Sequence, residues 1–200
     1  MLAIKQKRMA RIGRIGVGFA AFALLAVGGY MLTLVFAPVA GPITQMKPIN
    51  VKELPAPEVA KNRIIIPKIG VNIPYAEGEA SLDRGAQWRY PDRGNPATGG
   101  NFIIAAHRFS IQPTPQATIE KSPFYNIDKL AEGDKIIVDY DGKRYGYEVS
   151  SIKDVKPTAI EIEAPSSTPK LTLYTCELGG ADAGRVALVS KPLGLVALSQ

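Results

Sequence analysis

Lys170-Leu171-Thr172-Leu173-Tyr174-Thr175-Cys176-Glu177 carries the only cysteine of the chain. Leu171, Leu173 and Thr175 alternate with Thr172, Tyr174 and Cys176 in a run rich in aromatic and β-branched residues. That alternation predicts a strand with Cys176 at its C-terminal end. A Gly-rich segment, Glu177 to Gly184, follows, and a second apolar run opens on an arginine, Arg185-Val186-Ala187-Leu188-Val189. If these strands pair antiparallel, a thiol and a guanidinium face each other across one end of a sheet. The only histidine, His107, ends another apolar run, Asn101-Phe102-Ile103-Ile104-Ala105-Ala106. Three polar residues thus stand where β runs open onto loops.

The same texture extends outward from this stretch. Arg63-Ile64-Ile65-Ile66-Pro67 reads as a strand ended by proline, and Ile69 to Tyr75 as another. Glu79 to Trp88 reads as a short helix capped by Ser81 and weakened by Gly85. Tyr90 to Gly100 is a loop by composition, and Arg108 to Ser122 a long polar one. Phe124 to Leu130 reads as a helical turn. Asp141-Gly142 between two β-like runs predicts a two-residue hairpin turn; Asp139 and Asp141 as calcium ligands are the competing reading. Ser150 to Val155 continues as β, and Lys156 to Pro169 is a second long loop. Seven or eight strands, little helix and no βα alternation predict an all-β, antiparallel, closed or nearly closed barrel with short helices over residues 63–200.

The N-terminal quarter is different. Lys5, Lys7, Arg8, Arg11 and Arg14 make residues 1–14 a basic segment, and Ile15 to Ala40 carries no charge. At about 1.5 Å per residue this apolar run crosses a hydrocarbon core of roughly 30 Å as one transmembrane helix. Basic residues before it, with none close after it, place the N-terminus in the cytoplasm and the rest of the chain outside the cell. Ala37-Pro38-Val39-Ala40 leaves a cleaved signal peptide open as the other reading, although the run exceeds the usual apolar region of about 7–15 residues. Residues 41–62, with Pro42, Pro48, Pro55 and Pro57, read as an extended stalk. The apolar tail Gly194 to Gln200 is too short to span.

Charge and cysteine usage exclude several classes. The net charge is +6, and five of the positive charges lie before residue 15, so the remainder offers no nucleic-acid surface. One cysteine excludes an internal disulfide and a Cys-rich zinc site; with one histidine, no metal-ligand spacing exists, and nothing calls for a cofactor. A free thiol outside the cytoplasm needs a reason. Taken singly, Cys176 reads equally as an inert core residue, His107 as a structural histidine and Arg185 as a solvated strand-edge charge. Taken together they make coherent chemistry. A neighbouring cation favours the thiolate, which is the nucleophile. An imidazole protonates a leaving amine. A guanidinium and the backbone N–H of Glu177 stabilise a tetrahedral oxyanion.

Leu171-Thr172-Leu173-Tyr174-Thr175-Cys176 resembles the Thr-Leu-x-Thr-Cys signature of sortases, the membrane-anchored cysteine transpeptidases of the bacterial surface. Ile64 to Val71 resembles the opening strand pair of that family, Gly100 to Arg108 its histidine strand, and Arg185 to Val189 its arginine strand. Phe124-Tyr125, Leu130 and Gly133-Asp134-Lys135-Ile136 are similar to a further family segment. Ala106 stands where many sortases carry glycine. The resemblance implies an eight-stranded barrel in which Cys176, His107 and Arg185 are catalytic. Thr175, Ala106 and the Glu177 backbone N–H would then contact the substrate. The implied partners are surface proteins with a Leu-Pro-x-Thr-Gly-like sorting signal, an acceptor amine from a peptidoglycan precursor or a pilin lysine, and the cytoplasmic membrane. A non-catalytic barrel that scaffolds surface proteins is the second reading. A cell-wall cross-linking cysteine transpeptidase is disfavoured, because His107 does not closely precede Cys176.

Overall fold

The computed structural model describes residues 2–45 and 48–196, with side chains for 15–37, 48–180 and 182–196. Residues 46–47 of the predicted stalk, the end of the apolar tail (197–200) and the side chains of the basic segment lie outside the described residues.

Among the described residues nine strands follow the N-terminal helix: β1 (Arg63–Ile66), β2 (Val71–Glu77), β3 (Ala86–Arg89), β4 (Gly94–Asn95), β5 (Gly99–Ala105), β6 (Lys135–Tyr140), β7 (Lys143–Val155), β8 (Lys170–Glu177) and β9 (Gly180–Leu195). Hydrogen bonding runs in the order β3-β2-β1-β6-β7-β9-β8-β5, and β5 pairs back to β3, closing an eight-stranded barrel. The ninth strand, β4, is a two-residue spur on β5. Two pairings, β2 with β3 and β5 with β8, are parallel, where the sequence predicted antiparallel pairs throughout. The β2–β3 crossover is made by a 3-10 turn over Glu79–Asp83, not by a capped helix running to Trp88. Ser81 lies inside that turn and donates to the Gly78 carbonyl at 2.6 Å. Gly85 ends the crossover against Pro74; a Cβ there would sit 2.2 Å from the Pro74 carbonyl oxygen, so only glycine fits.

Alternation along each strand divides two faces. Ile64, Ile66, Phe102, Ile104, Leu171, Leu173, Val186 and Leu188 fill the barrel. Trp88 meets Tyr75, Phe102 and Tyr140 edge-to-face within that core, with ring centroids 5.6–6.3 Å apart. The opposite faces of β5, β8 and β9 are also covered: Ile103, Ala105, Tyr174 and Ala187 form a second cluster under Tyr90, Val155 and Ile162. Asp141 and Gly142 both take left-handed backbone (φ 47° and 70°), the turn expected between β6 and β7. The polar segment after His107 contains a short helix, α2 (Pro115–Glu120), whose Thr114 hydroxyl accepts from the Ala117 N–H.

The N-terminal helix, α1 (Leu2–Gln45), includes a 23-residue stretch, Ile15–Ala37, of mean hydropathy 2.1, long and apolar enough to cross a membrane. Segment 48–62 lies on the barrel. The Ile49 N–H donates to the Pro67 carbonyl, and the Asp141 N–H to the Asn62 side chain. The Arg144 guanidinium donates to the Pro55 carbonyl at 2.9 Å. Arg144 also forks onto both oxygens of Asp139, each at 2.7 Å, with both side chains almost wholly buried. Asp139 is therefore a structural ion-pair partner, which the calcium reading did not foresee.

Candidate active site

Strand parity brings the three singled-out residues together. On β5, Ile103 and Ala105 face the outer cluster, and His107 continues their parity. On β8, Tyr174 does so and Cys176 follows; on β9, Ala187 does so and Arg185 precedes it. Cys176 pairs directly with Arg185 across β8 and β9. Ala105 pairs with Tyr174 across the parallel β5 and β8, so two residues further on His107 stands level with Cys176. Two hydrogen bonds hold these strand ends in step: the Thr175 hydroxyl donates to the Ala106 carbonyl at 2.7 Å, and the Ala106 N–H to the Tyr174 carbonyl at 3.4 Å. Thr175 and Ala106 are buried. Beyond Cys176 the register with β9 breaks, and Glu177 pairs with Gly180 around a two-residue turn in place of the predicted open loop.

His107, Cys176 and Arg185 all line one groove of about 370 Å³. Its floor is the outer cluster, including Ala105 and Tyr174, and one wall is the segment from Pro157 to Glu163. Each of the three is half-buried, so a solute reaches them while their stems stay fixed. Arg185 also donates to the Gly184 carbonyl at 2.9 Å. His107 and Cys176 line a second pocket as well, of about 260 Å³, on the side of Arg108, Phe109 and the Leu178–Gly180 turn. Glu177 borders this pocket, while its side chain packs over Gly184. No group of three or more potential metal ligands occurs among the described residues.

Sequence reasoning missed the groups that build the groove. Asn101, fully buried at the start of β5, donates to the carbonyls of Ile162 (3.1 Å) and Ala164 (2.8 Å) and accepts from the Thr172 hydroxyl (2.7 Å). It pins the groove wall to the barrel. A polar residue opening an otherwise apolar run was the only signal for it. At the far end, Arg89 pairs with Glu163 at 3.0 Å, and the Tyr174 hydroxyl donates to the same carboxylate. Burial, then the neighbouring Glu163, pushes the Tyr174 phenol well above its ordinary pKa, so it stays a donor. Arg93 lies 3.7 Å above the Tyr90 ring and donates to the Glu163 carbonyl. Near the rim, a hydrogen bond from Lys121, and further the charge of His107, hold the exposed Asp83 carboxyl below its usual range.

Asn101→Ala should lower stability by about 1–3 kcal/mol, because it strands the buried Thr172 hydroxyl and releases the two part-buried wall carbonyls of Ile162 and Ala164. Limited proteolysis of the full-length protein should then cut within 156–169 before the barrel. Unchanged melting and cleavage would remove Asn101 as the fastening of that wall.

The family model for the sortase domain matches residues 64–192. Sortase SrtE1 of Streptomyces coelicolor is 34% identical over an alignment of 130 positions that covers 56% of this chain and 34% of that protein. Sortase A of Staphylococcus aureus is 26% identical over an alignment of 137 positions that covers 63% of this chain and 62% of that one. The chain therefore spans between a third and two thirds of the length of these relatives. The crystal structure of Sortase E1 from Streptomyces coelicolor, with a tripeptide in the active site, superposes with a TM-score of 0.56 at 26% identity, covering 71% of this chain and 93% of that one. The barrel order, the strand-end trio and these likenesses have one common explanation: the chain belongs to the sortase family.

Proposed function

We propose that the protein is a cysteine transpeptidase. It cleaves a Leu-Pro-x-Thr-Gly-like sorting signal between threonine and glycine and transfers the acyl part to an amine. The observation that carries this reading is the level placement of Cys176, His107 and Arg185 along one peptide-sized groove, on the same side of the sheet. In the first half-reaction the Cys176 thiolate attacks the threonine carbonyl carbon. The oxyanion is held by Arg185 and the Glu177 N–H. The C–N bond breaks, the His107 imidazolium gives its proton to the departing glycine nitrogen, and a thioester remains. In the second half-reaction an amine attacks the thioester carbonyl, His107 takes the proton, and the thiolate leaves. Thr175 and Ala106 set the strand ends against which the signal lies. The tripeptide in the active site of Sortase E1 supports a peptide in the equivalent groove here.

The apolar Ile15–Ala37 helix supports a membrane-anchored enzyme. Residues 1–14 would lie in the cytoplasm, 15–40 in the bilayer, and 41–62 would lead to a catalytic barrel of 63–200 outside the cell. Tethering raises the effective concentration of enzyme towards surface proteins still held at the same membrane. The acceptor is an amine of a peptidoglycan precursor or a pilin lysine.

Full-length protein in detergent, mixed with a signal peptide, should gain the mass of the acyl fragment on Cys176 and release the glycine-led remainder. The adduct should vanish on addition of hydroxylamine or an amine. A Cys176 that takes up an alkylating probe yet forms no adduct with any signal peptide would sink the enzyme reading and favour a scaffold.

A further inference from the structure

The second pocket, on the other side of His107 and Cys176 from the peptide groove, holds an unusual guanidinium. Arg108 lines it, and its side chain is only 7% exposed. Its one ion pair among the described residues is with Asp128, from Nη2 to Oδ1 at 3.2 Å, and the Asp128 side chain is 56% exposed. The adjacent Nε–H is enclosed and has no hydrogen-bond partner among the described residues. Nε–H and Nη2–H form one fork suited to both oxygens of a carboxylate. Arg144 elsewhere in the chain shows that fork filled, with Asp139 on both prongs at 2.7 Å. Arg108 has one long contact on one prong. A buried cation left half-paired is costly, and a bound anion that completes the fork recovers that cost.

We propose that this pocket selects acceptor amines that carry a carboxylate a few bonds from the nitrogen, and that Arg108 reads the carboxylate. The inference rests on the transpeptidase reading and names its second substrate by chemistry. Cys176, His107 and Arg108 line the same pocket of about 260 Å³. An amine placed for attack on a Cys176 thioester has room for a short spacer before its carboxylate meets the guanidinium. On binding, the carboxylate exchanges with Asp128, the exposed partner, and takes both prongs. An amine whose carboxyl is amidated leaves the fork as it is. Phe109, whose ring packs edge-to-face on Tyr125 at 6.0 Å, walls the pocket beside Arg108 and favours a compact spacer.

The test loads the full-length protein in detergent with a signal peptide and resolves the thioester with glycine, β-alanine or 4-aminobutyrate, each against its amide. Rates are expressed per unprotonated amine. At one spacer length the free acid should outpace the amide by about tenfold, the worth of one charge-assisted fork. Arg108→Gln should bring that ratio to about one, and Arg108→Lys should keep part of it. Asp128→Asn, which removes the competitor from an exposed site, should raise the ratio by about threefold. This second variant decides the matter if Arg108→Gln does not fold. Equal rates for acids and amides at every spacer, or a preference that survives Arg108→Gln, would overturn the inference while the thioester chemistry stands. Failure to load the thioester at all would instead overturn the transpeptidase reading, and the inference with it.

Discussion

Cys176→Ala should abolish the mass adduct and reduce peptide transfer by about 10⁴-fold or more, because it removes the one thiol of the chain, and the Thr175 and Tyr174 hydroxyls lining the same groove are committed as donors to the Ala106 carbonyl and to Glu163. The other two members of the trio should fail differently. With His107→Ala the leaving nitrogen has no proton donor. Transfer should fall by roughly 10²–10⁴-fold, and small activated thioesters, which need no such proton, should be spared in part. With Arg185→Ala the oxyanion loses a charged donor, and kcat should fall by roughly 10²–10³-fold. Arg185 is fixed by the β8–β9 register opposite Cys176 and braced by its bond to the Gly184 carbonyl, so Arg185→Lys should recover little. Burst-phase kinetics with a chromogenic signal peptide separate the three. A Cys176→Ala protein that still transfers peptide at a tenth of the normal rate would end the thioester mechanism.

The second large effect concerns the fold. Asp139→Ala should destabilise the protein by about 3–5 kcal/mol, since Arg144 would be left charged and unpaired with its side chain only 3% exposed. Arg144→Met should cost a similar amount and also release Pro55, so trypsin or a similar protease should gain access to segment 48–62 in that variant. The double variant Asp139→Leu with Arg144→Met should cost less than either single change, because an apolar pair replaces the ion pair without stranding a charge. Thermal or denaturant unfolding of the full-length protein in detergent, followed by the tryptophan in the core, reads all three. Single variants that cost under about 1 kcal/mol would show that water reaches the pair and shares its charge.

Much of the site was legible because local pattern and function coincided there. Cys176, His107 and Arg185 each end or begin an apolar alternating run, and parity along such a run fixes which face a residue takes. The Asp141-Gly142 turn was legible for the same reason: two adjacent left-handed positions leave few alternatives. The parallel pairings of β5 with β8 and β2 with β3 were not legible. Nothing local in a half-buried strand distinguishes a parallel neighbour from an antiparallel one, and β5 and β8 lie far apart in the chain. The second buried face escaped notice too. Thr172 and Tyr174 look solvent-facing in sequence, but the Ile160–Glu163 turn folds over them, held by Asn101 from a distant strand. The helix over Pro115–Glu120 has only one full turn to announce it, and its cap at Thr114 stands among prolines that read as loop.

The fastening of Pro55 by Arg144 bears on how far the barrel can roam. Fifteen loose residues, from Pro48 to Asn62, would act as a leash with a root-mean-square span of roughly 20 Å, letting the rim sweep a wide volume. Bonded to the barrel at Ile49, Pro55 and Asn62, those residues travel with it as one body. Any leash between the apolar helix and the rim is therefore shorter by those fifteen residues than the sequence alone suggests.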